Sequence, residues 1–198
     1  MSEDSECIQA SMGSPARFSE IFERHAKDVE AFILSRIGET AKDDVLSETF
    51  LVAFRQRGKF DLTVDSAKPW LLGIATRLIH RHRAQESAHW RRLMASARVT
   101  EFIAPNEEAR ASERADAVAA IRALGPQIAA LSRRDRDTLL LYAWGDLTYE
   151  QVAAALKVPV GTVRSRLSRI RARLSAPPVA ASAARSSTEN GGAIVWTA

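Results

Sequence analysis

Hydrophobic residues between positions 147 and 174 recur every three or four residues, a spacing that predicts two amphipathic helices. Thr148 and Gln151 are spaced as an N-cap and its partner in a capping box, so the first helix is expected to begin there. Pro159 ends that pattern, because proline lacks an amide donor and disfavours helical backbone in the preceding residue. A second apolar edge then consists of Val163, Leu167, Ile170 and Leu174.

The same periodicity predicts helices along most of the remaining chain. These helices cover residues 18–37, 43–54, 69–83, 116–124 and 133–144. Alternating strand patterns are hard to find, and the 9 glycines and 7 prolines are few for 198 residues. We therefore predict an all-α fold of two small helical domains joined by a linker, the C-terminal domain being a helix-turn-helix. The expected segments are a flexible arm (1–16), a first domain (17–92), a linker (93–115), a second domain (116–175) and a low-complexity tail (176–198).

Composition is that of a soluble protein, with 46% hydrophobic and 26% charged residues. No apolar run is long enough to span a bilayer, and the N-terminus is acidic where a signal peptide would be basic. We expect a cytoplasmic protein that does not engage membranes. Cys7 is the only cysteine, which excludes an intramolecular disulfide and a cysteine zinc site.

Charge is unevenly distributed behind a net value of +4. Residues 1–65 carry 8 basic and 13 acidic side chains, whereas residues 66–92 carry 6 and 1, and residues 131–175 carry 9 and 4. An acidic front and two basic blocks indicate two kinds of partner, a protein surface and a nucleic acid contacted at two places.

The second helix of the 147–174 hairpin is rich in arginine. From position 157 to 174 there are six basic residues and no acidic one. A helix, a tight turn and an arginine-rich helix form the layout of a helix-turn-helix that places its second helix in the major groove. A solvated basic face on an ordinary helical hairpin is the alternative.

Two further segments carry candidate binding residues. The helix 69–83 has an aromatic residue and several basic ones beside the polar loop 58–68, a combination suited to single-stranded nucleic acid, although Trp70 could equally be a core residue. The helix 43–54 presents an acidic and apolar stripe that suits a protein partner or is merely solvated. No catalytic set, glycine-rich phosphate loop or carboxylate pair stands out, and His80 and His82 cannot face one metal from a helix. We therefore expect no enzyme, cofactor or metal.

Two stretches resemble a known bacterial family. The sequence from SRRDRDTLLLYAWGDLTYEQ to GTVRSRLSRIRARL is similar to region 4 of the extracytoplasmic-function (ECF) sigma factors, and KDDVLSETFLVAF followed by KPWLLGIATRLIHRHR resembles their region 2. The resemblance implies a subunit of RNA polymerase that directs transcription initiation at −35 and −10 promoter elements. It implies core polymerase, promoter DNA in double- and single-stranded form, and an anti-sigma factor as partners.

The resemblance also assigns residues to roles. The −35 element would be bound by Pro159, Thr162, Arg164, Ser165, Arg166, Arg169 and Arg173, with Arg166 and Arg173 on phosphates. The −10 element would be melted and held by Asp65, Ser66, Lys68, Trp70, Arg77, His80 and Arg81. The clamp helices of the largest polymerase subunit would be bound by Asp43, Asp44, Glu48, Leu51 and Arg55. A stand-alone helix-turn-helix regulator is the alternative function, and it leaves the acidic front and the first basic block unexplained.

Overall fold

The computed structural model describes residues 2–96 and 125–175, and within them the secondary structure is entirely helical. The helices are α1 (Glu3–Gly13), α2 (Ser19–Ile37), α3 (Lys42–Gln56), α4 (Lys68–Ser96), α5 (Arg133–Ala143), α6 (Tyr149–Leu156) and α7 (Val160–Ser175). Two 3-10 turns lie between helices, Pro15–Phe18 between α1 and α2 and Arg57–Lys59 between α3 and α4, and residues 125–129 form one further helical turn. The prediction of an all-α fold is confirmed.

Helices α1–α4 form the first unit around a shared apolar core. Helix α2 contributes Ile21, Val29 and Ile33, all inaccessible to solvent, because spacings of eight and four residues place them on one face of the helix. Helix α4 supplies the opposing surface through Leu71 and Ile79, which are also fully buried. Burial of a side chain of this size contributes about 1.5–3 kcal/mol, so this face holds the unit together.

The N-terminal segment is ordered, and the prediction of a flexible arm over residues 1–16 is wrong. Ser2 caps α1, and its hydroxyl accepts the backbone N–H of Ser5 at 3.3 Å. Cys7 and Ile8 are buried among the helices of the first unit. The buried face of α1 also contains Asp4, Ser5 and Ser11, so it has no continuous apolar stripe by which periodicity would have revealed the helix.

Helix α4 is longer than the sequence pattern predicts. The apolar pattern ends near residue 83, but the helix continues to Ser96 and so enters the region predicted as the irregular linker. Straight-chain and alanine-rich positions beyond 83 have good helix propensity, which sustains a helix without an apolar stripe. The predictions for the rest of the linker, for the helix 116–124 and for the tail 176–198 lie outside the described residues.

The helix-turn-helix forms as its local signals predict. Thr148 and Gln151 make the capping box, with hydrogen bonds of 3.3 and 2.9 Å between side chain and backbone in each direction. Ser132 likewise caps α5 by accepting the N–H of Asp135 at 3.1 Å. Lys157 ends α6 in the left-handed conformation at φ 55°, one turn before α7 begins. Val163, Leu167 and Ile170 are buried, as the apolar edge predicts.

Helices α5–α7 form the second unit, which packs directly on the first through contacts between α6 and α4. A Cβ atom placed on Gly73 would lie 2.6 Å from the carbonyl oxygen of Ala155, so the two helix backbones meet without an intervening side chain. Arg36 of the first unit donates to Asp137 of α5 at 2.6 Å, and His80 of α4 shares a 2.7 Å hydrogen bond with the other oxygen of that carboxylate. Ala155 is buried by this contact, although a hairpin alone would leave it at the edge of its apolar stripe.

Candidate DNA and polymerase interfaces

Helix α7 presents most of the residues predicted to read the −35 element. Its apolar edge faces α5 and α6, which turns the intervening arginines outward. Pro159, Arg164, Ser165, Arg169 and Arg173 are exposed, and Thr162 and Arg166 are half-buried. Arg164 and Arg173 make no ion pair with any residue that the structure describes. The helix therefore offers guanidinium groups on the side away from its own core.

Other arginines of α7 already have partners. Arg166 donates to the Thr138 hydroxyl at 3.3 Å, so it spans the gap to α5. Arg169 lies 3.5 Å from Asp135, but its side chain is 66% exposed and such a surface pair contributes less than about 1 kcal/mol. Arg171, which was not among the predicted contacts, donates to the Tyr149 hydroxyl at 2.8 Å. Arg169 thus remains available to a stronger acceptor such as a phosphate or a guanine edge.

A cavity of about 410 Å³ lies beside the first turns of α4. It brings together four of the residues predicted to hold the −10 element, namely Asp65, Ser66, Trp70 and Arg77. Phe60 packs on Trp70 with ring centroids 5.0 Å apart, so the indole is half-buried and its orientation is fixed. Residues Glu150, Gln151, Ala154 and Ala155 of α6 complete the lining from the second unit. This site combines an aromatic surface, a cation and polar acceptors.

The remaining predicted −10 residues lie elsewhere. Lys68 pairs with Asp28 at 2.8 Å, and Arg81 pairs with Glu48 of α3. His80 contacts Asp137 of the second unit. The structure therefore separates the predicted set into a group that lines the cavity and a group whose cationic or polar ends face acidic side chains.

Asp137 holds the junction between the units by charge. Burial raises the pKa of this carboxyl, but hydrogen bonds from His80 and Arg36 and the positive charge of Arg36 outweigh burial and lower the pKa below its ordinary value. The carboxylate is therefore ionised at neutral pH. The side chain of Arg36 is only 2% exposed, so the ion pair with Asp137 offsets much of the cost of burying its charge.

All five residues predicted to bind core polymerase lie on α3. Asp43, Asp44, Leu51 and Arg55 are exposed, while Glu48 is half-buried against Arg81. Their spacing of three and four residues places Asp44, Glu48, Leu51 and Arg55 along one edge of the helix. Leu51 is 45% exposed and Phe22 of α2 is 44% exposed, so apolar surface lies beside the acidic groups. Such a mixed surface suits a protein partner.

Sequence reasoning missed the residues that arrive from distant parts of the chain. Gln151 lines the cavity, and Asp137 contacts His80, yet neither periodicity nor a local motif marks these roles. His25 is buried, and its Nε2 atom lies 2.7 Å from Oδ2 of Asp4. Burial raises the pKa of the Cys7 thiol, which donates to the carbonyl of Arg17 at 3.0 Å. A raised pKa disfavours the reactive thiolate.

Within residues 2–96 and 125–175, no helix combines the length and the apolarity that a bilayer crossing demands. The same part of the chain has no group of three or more His, Cys, Asp or Glu side chains arranged to hold a metal ion.

Two family models match the chain in the order of the two units. Residues 21–89 match Sigma-70 region 2, and residues 121–174 match Sigma-70 region 4. The chain is 30% identical over 171 residues to the ECF RNA polymerase sigma factor SigC of Mycobacterium tuberculosis, covering 85% of this chain and 87% of that protein. It is 24% identical over 161 residues to the ECF sigma factor SigK of Mycobacterium bovis, covering 77% and 80%. The region 2 match disfavours a stand-alone helix-turn-helix regulator.

Solved structures share the fold. One is CnrH in complex with the cytosolic domain of CnrY, with a TM-score of 0.59, 23% identity and coverage of 87% of this chain and 94% of that one. Another is the sigma factor RpoE of Bartonella quintana in complex with the anti-sigma factor NepR, with a TM-score of 0.52, 22% identity and coverage of 79% and 93%. From the two matched regions and the identity to SigC, we conclude that the chain belongs to the ECF family of RNA polymerase sigma factors and acts in transcription initiation.

Proposed function

We propose that this sigma factor divides its work among three surfaces: α7 for the −35 element, the cavity beside α4 for the −10 element, and α3 for core polymerase. In this proposal the first domain is the predicted segment 17–92 extended by α1 and by the last turn of α4, the second is the predicted segment 116–175, and the rest of the predicted linker 93–115 joins them. The protein acts in the cytoplasm and catalyses no reaction of its own, because polymerase supplies the chemistry. The observation that carries the proposal is the outward arginine face of α7 above a buried apolar edge.

The arginines of α7 suit direct readout of duplex DNA. An α-helix fits the major groove, where a guanidinium donates two parallel hydrogen bonds to O6 and N7 of guanine. Arg164 and Arg169 are exposed on this face and are assigned to base edges, whereas Arg166 and Arg173 are assigned to phosphates. Arg166 would exchange its hydroxyl partner Thr138 for a charged acceptor, which forms a stronger hydrogen bond.

The cavity beside α4 suits a base taken out of the stack. Its volume lies in the range of small-ligand sites, and a base can stack on an aromatic ring while polar groups contact its edge. Trp70 supplies the ring, Asp65 and Ser66 supply acceptors and a hydroxyl, and Arg77 supplies charge for the backbone. Because α6 contributes part of the lining, entry of a DNA strand requires the second unit to move away from this side.

The α3 stripe is assigned to the clamp helices of the largest polymerase subunit. Asp44 and Arg55 would make charged contacts at its two ends, and Leu51 would be buried between them. We also propose an anti-sigma factor as a partner. The related folds of CnrH and RpoE are each seen with a protein bound, and RpoE with one named an anti-sigma factor, which supports this proposal.

In vitro transcription tests the proposal. Core polymerase, with and without the full-length chain, is supplied with fragments of the source genome, and the RNA start sites are mapped. We expect new start sites that depend on the chain and share two upstream sequence elements. Identical start sites with and without the chain would refute the proposal.

A stand-alone regulator predicts a different result in a second assay. The tagged chain is mixed with core polymerase and passed over a sizing column. We expect a stoichiometric complex, whereas a regulator that acts alone would elute separately. The Asp44→Ala, Leu51→Ala double variant is the matched control. It alters only the exposed α3 edge, so we expect it to form less of the complex than the wild type does.

A further inference from the structure

Helix α1 contacts the loop that connects α3 to α4, here called the 60–67 loop. The hydroxyl groups of Ser2 and Ser5 both donate to the carbonyl oxygen of Val64, at 3.0 and 3.1 Å. Ser5 is fully buried, so its hydrogen bond is shielded from water. An N-terminal helix thus fixes the backbone of a loop some sixty residues later in the chain.

Asp4 makes the central contact of this junction. Its Oδ2 atom accepts the backbone N–H of Ala67 at 2.7 Å and the hydroxyl of Ser66 at 3.3 Å, and it lies 2.7 Å from Nε2 of His25. Its Oδ1 atom accepts a hydrogen bond from Arg24. Only 4% of Asp4 is exposed, so both oxygens are occupied by protein groups.

The charge of Asp4 suits this position. Burial raises the pKa of the Asp4 carboxyl, but the hydrogen bonds from Ala67, Arg24 and His25 outweigh it and lower the pKa below its ordinary value. The carboxylate lies at the N-terminus of α4, where backbone N–H groups lack partners within the helix and the helix dipole favours a negative charge. Asp4 therefore caps α4 from another helix, while Ser66 caps it locally by accepting the N–H of Lys68 at 3.1 Å.

These contacts lie on both sides of a residue assigned to promoter recognition. Val64 is held by Ser2 and Ser5, and residues 66 and 67 are held by Asp4, so Asp65 is the position between two fixed points. Asp65 itself is exposed and lines the cavity with Trp70. Within the loop, the Asp61 carboxylate accepts hydrogen bonds from Thr63, and the Asp61 carbonyl oxygen accepts the N–H of Val64 at 3.4 Å. The turn at 61–64 is therefore closed locally, whereas residues 64–67 are held by α1.

We propose that Asp4 is a positioning residue for promoter recognition: it fixes the 60–67 loop so that Asp65 and Ser66 are presented toward a base in the cavity beside α4. This inference rests on the assignment of the cavity to the −10 element. Asp4 does not contact DNA. It selects one loop conformation in advance, so that binding a strand does not have to order the loop.

The test uses holoenzyme assembled from core polymerase and full-length chain. Single-stranded oligonucleotides carry the −10 sequence of a promoter mapped by the transcription assay, together with a panel of single-base changes. For the Asp4→Asn variant we expect about ten-fold weaker binding of the mapped sequence and a flattened preference across the panel. Glu3→Gln is the matched control, because Glu3 is an exposed neighbour that pairs with Arg24 at 3.5 Å and makes no contact with the loop.

Two further measurements separate positioning from general loss of structure. Binding of a −35 duplex and of core polymerase should be unchanged in Asp4→Asn, and Ser5→Ala, which removes one contact to Val64, should flatten the −10 preference to a smaller degree. Equal weakening for every oligonucleotide, the −35 duplex and core polymerase would overturn the inference in favour of a structural role. Unchanged −10 preference in Asp4→Asn, with a clear preference in the wild type, would overturn it while leaving the proposed function intact. A wild-type holoenzyme without −10 preference would refute both.

Discussion

The two basic helices of this protein differ in what their charges face. On α4, Lys68 pairs with Asp28, Arg81 pairs with Glu48, and His80 contacts Asp137. On α7, Arg169 has one weak carboxylate contact, and Arg164 makes no ion pair within the described residues. Within the described residues, two cations of α4, Lys68 and Arg81, are held in ion pairs, whereas on α7 only Arg169 is.

The difference follows from where each helix lies. Helix α4 is surrounded by α2, α3 and α6, so acidic residues of other elements reach its cations. Among the described helices, α7 packs mainly on α5 and α6 through its apolar edge, and Arg164, Arg169 and Arg173 lie exposed on its other faces. The sequence gives the number of basic residues in a segment, whereas the tertiary structure determines which of them are accessible to a polyanion such as DNA.

The largest effect is expected from removing the outward arginines of α7. In the Arg164→Ala, Arg169→Ala double variant, we expect promoter-specific transcription to be lost while core polymerase binding persists. Each arginine that reads a guanine discriminates by about 1–3 kcal/mol, so the loss should appear as reduced preference for the −35 sequence. Competition between −35 duplexes and unrelated duplexes measures it.

Two control variants test whether the loss is specific to the base-reading arginines of α7. Arg173→Ala removes a charge assigned to a phosphate, so it should weaken binding to all duplexes alike and reduce the slope of log affinity against log salt by about 0.9. Arg81→Ala removes a cation already paired with Glu48 and should leave −35 binding unchanged. If Arg81→Ala weakened −35 binding as much as the α7 variants did, the distinction between the helices would fail.

The next effect is expected on stability, from removing the Asp137 carboxylate that contacts His80 of α4 and Arg36. Asp137→Asn leaves the buried guanidinium of Arg36 without its counter-charge, and loss of one partner of a buried pair costs about 3–5 kcal/mol. Urea unfolding at pH 7 measures the difference. Asp135→Asn, which removes the carboxylate partner of the exposed Arg169 side chain and one acidic group from the first turn of α5, should cost about 1 kcal/mol.

The destabilisation caused by Asp137→Asn should depend on pH. The folded state lowers the pKa of Asp137 below the ordinary value of 3.8, so its stabilisation is present above that pH and is lost as pH falls through the lower, folded-state pKa. The gap in unfolding free energy between wild type and Asp137→Asn should therefore be constant from pH 7 to about 5 and narrow in more acidic solution. A gap that widens on acidification would contradict the assignment.

The smallest effect is expected on α3, whose exposed side chains are individually weak contacts. In the Asp44→Ala, Leu51→Ala variant, we expect affinity for core polymerase to fall about ten-fold, a change of about 1.4 kcal/mol. DNA recognition by α7 should be unaffected, because the contacts of α3 within the described residues are mainly with α2 and α4. Glu23→Ala, an exposed carboxylate on α2, is the control, and equal weakening by both would argue against a specific α3 edge.

Sequence alone predicted those elements whose signals are local. The capping box at Thr148, the helix over 133–144 and the apolar edge of α7 depend on neighbouring residues, and the structure confirms each of them. The family and the function were also predicted, because two specific motifs occur in the right order. The assignment of individual residues to DNA and to polymerase remains a prediction.

The elements that were missed depend on contacts between distant residues. Helix α1 buries Asp4 and Ser5, so its inward face looks polar and only its partners in the 60–67 loop explain its position. The pairing of His80 with Asp137 joins residues 57 positions apart. No local pattern encodes such a pair, so the sequence did not show that His80, predicted to contact the −10 element, has an acidic partner in the second unit.

The contact of Gly73 with Ala155 has one more consequence. Because the two helix backbones meet with no side chain between them, the smallest possible addition at position 73, a single methyl group, would already intrude within 2.6 Å of a carbonyl oxygen. The close approach of the two units therefore requires that residue 73 have no side chain. Replacing Gly73 by alanine would force α4 and α6 apart and so widen a cavity that residues of both units line.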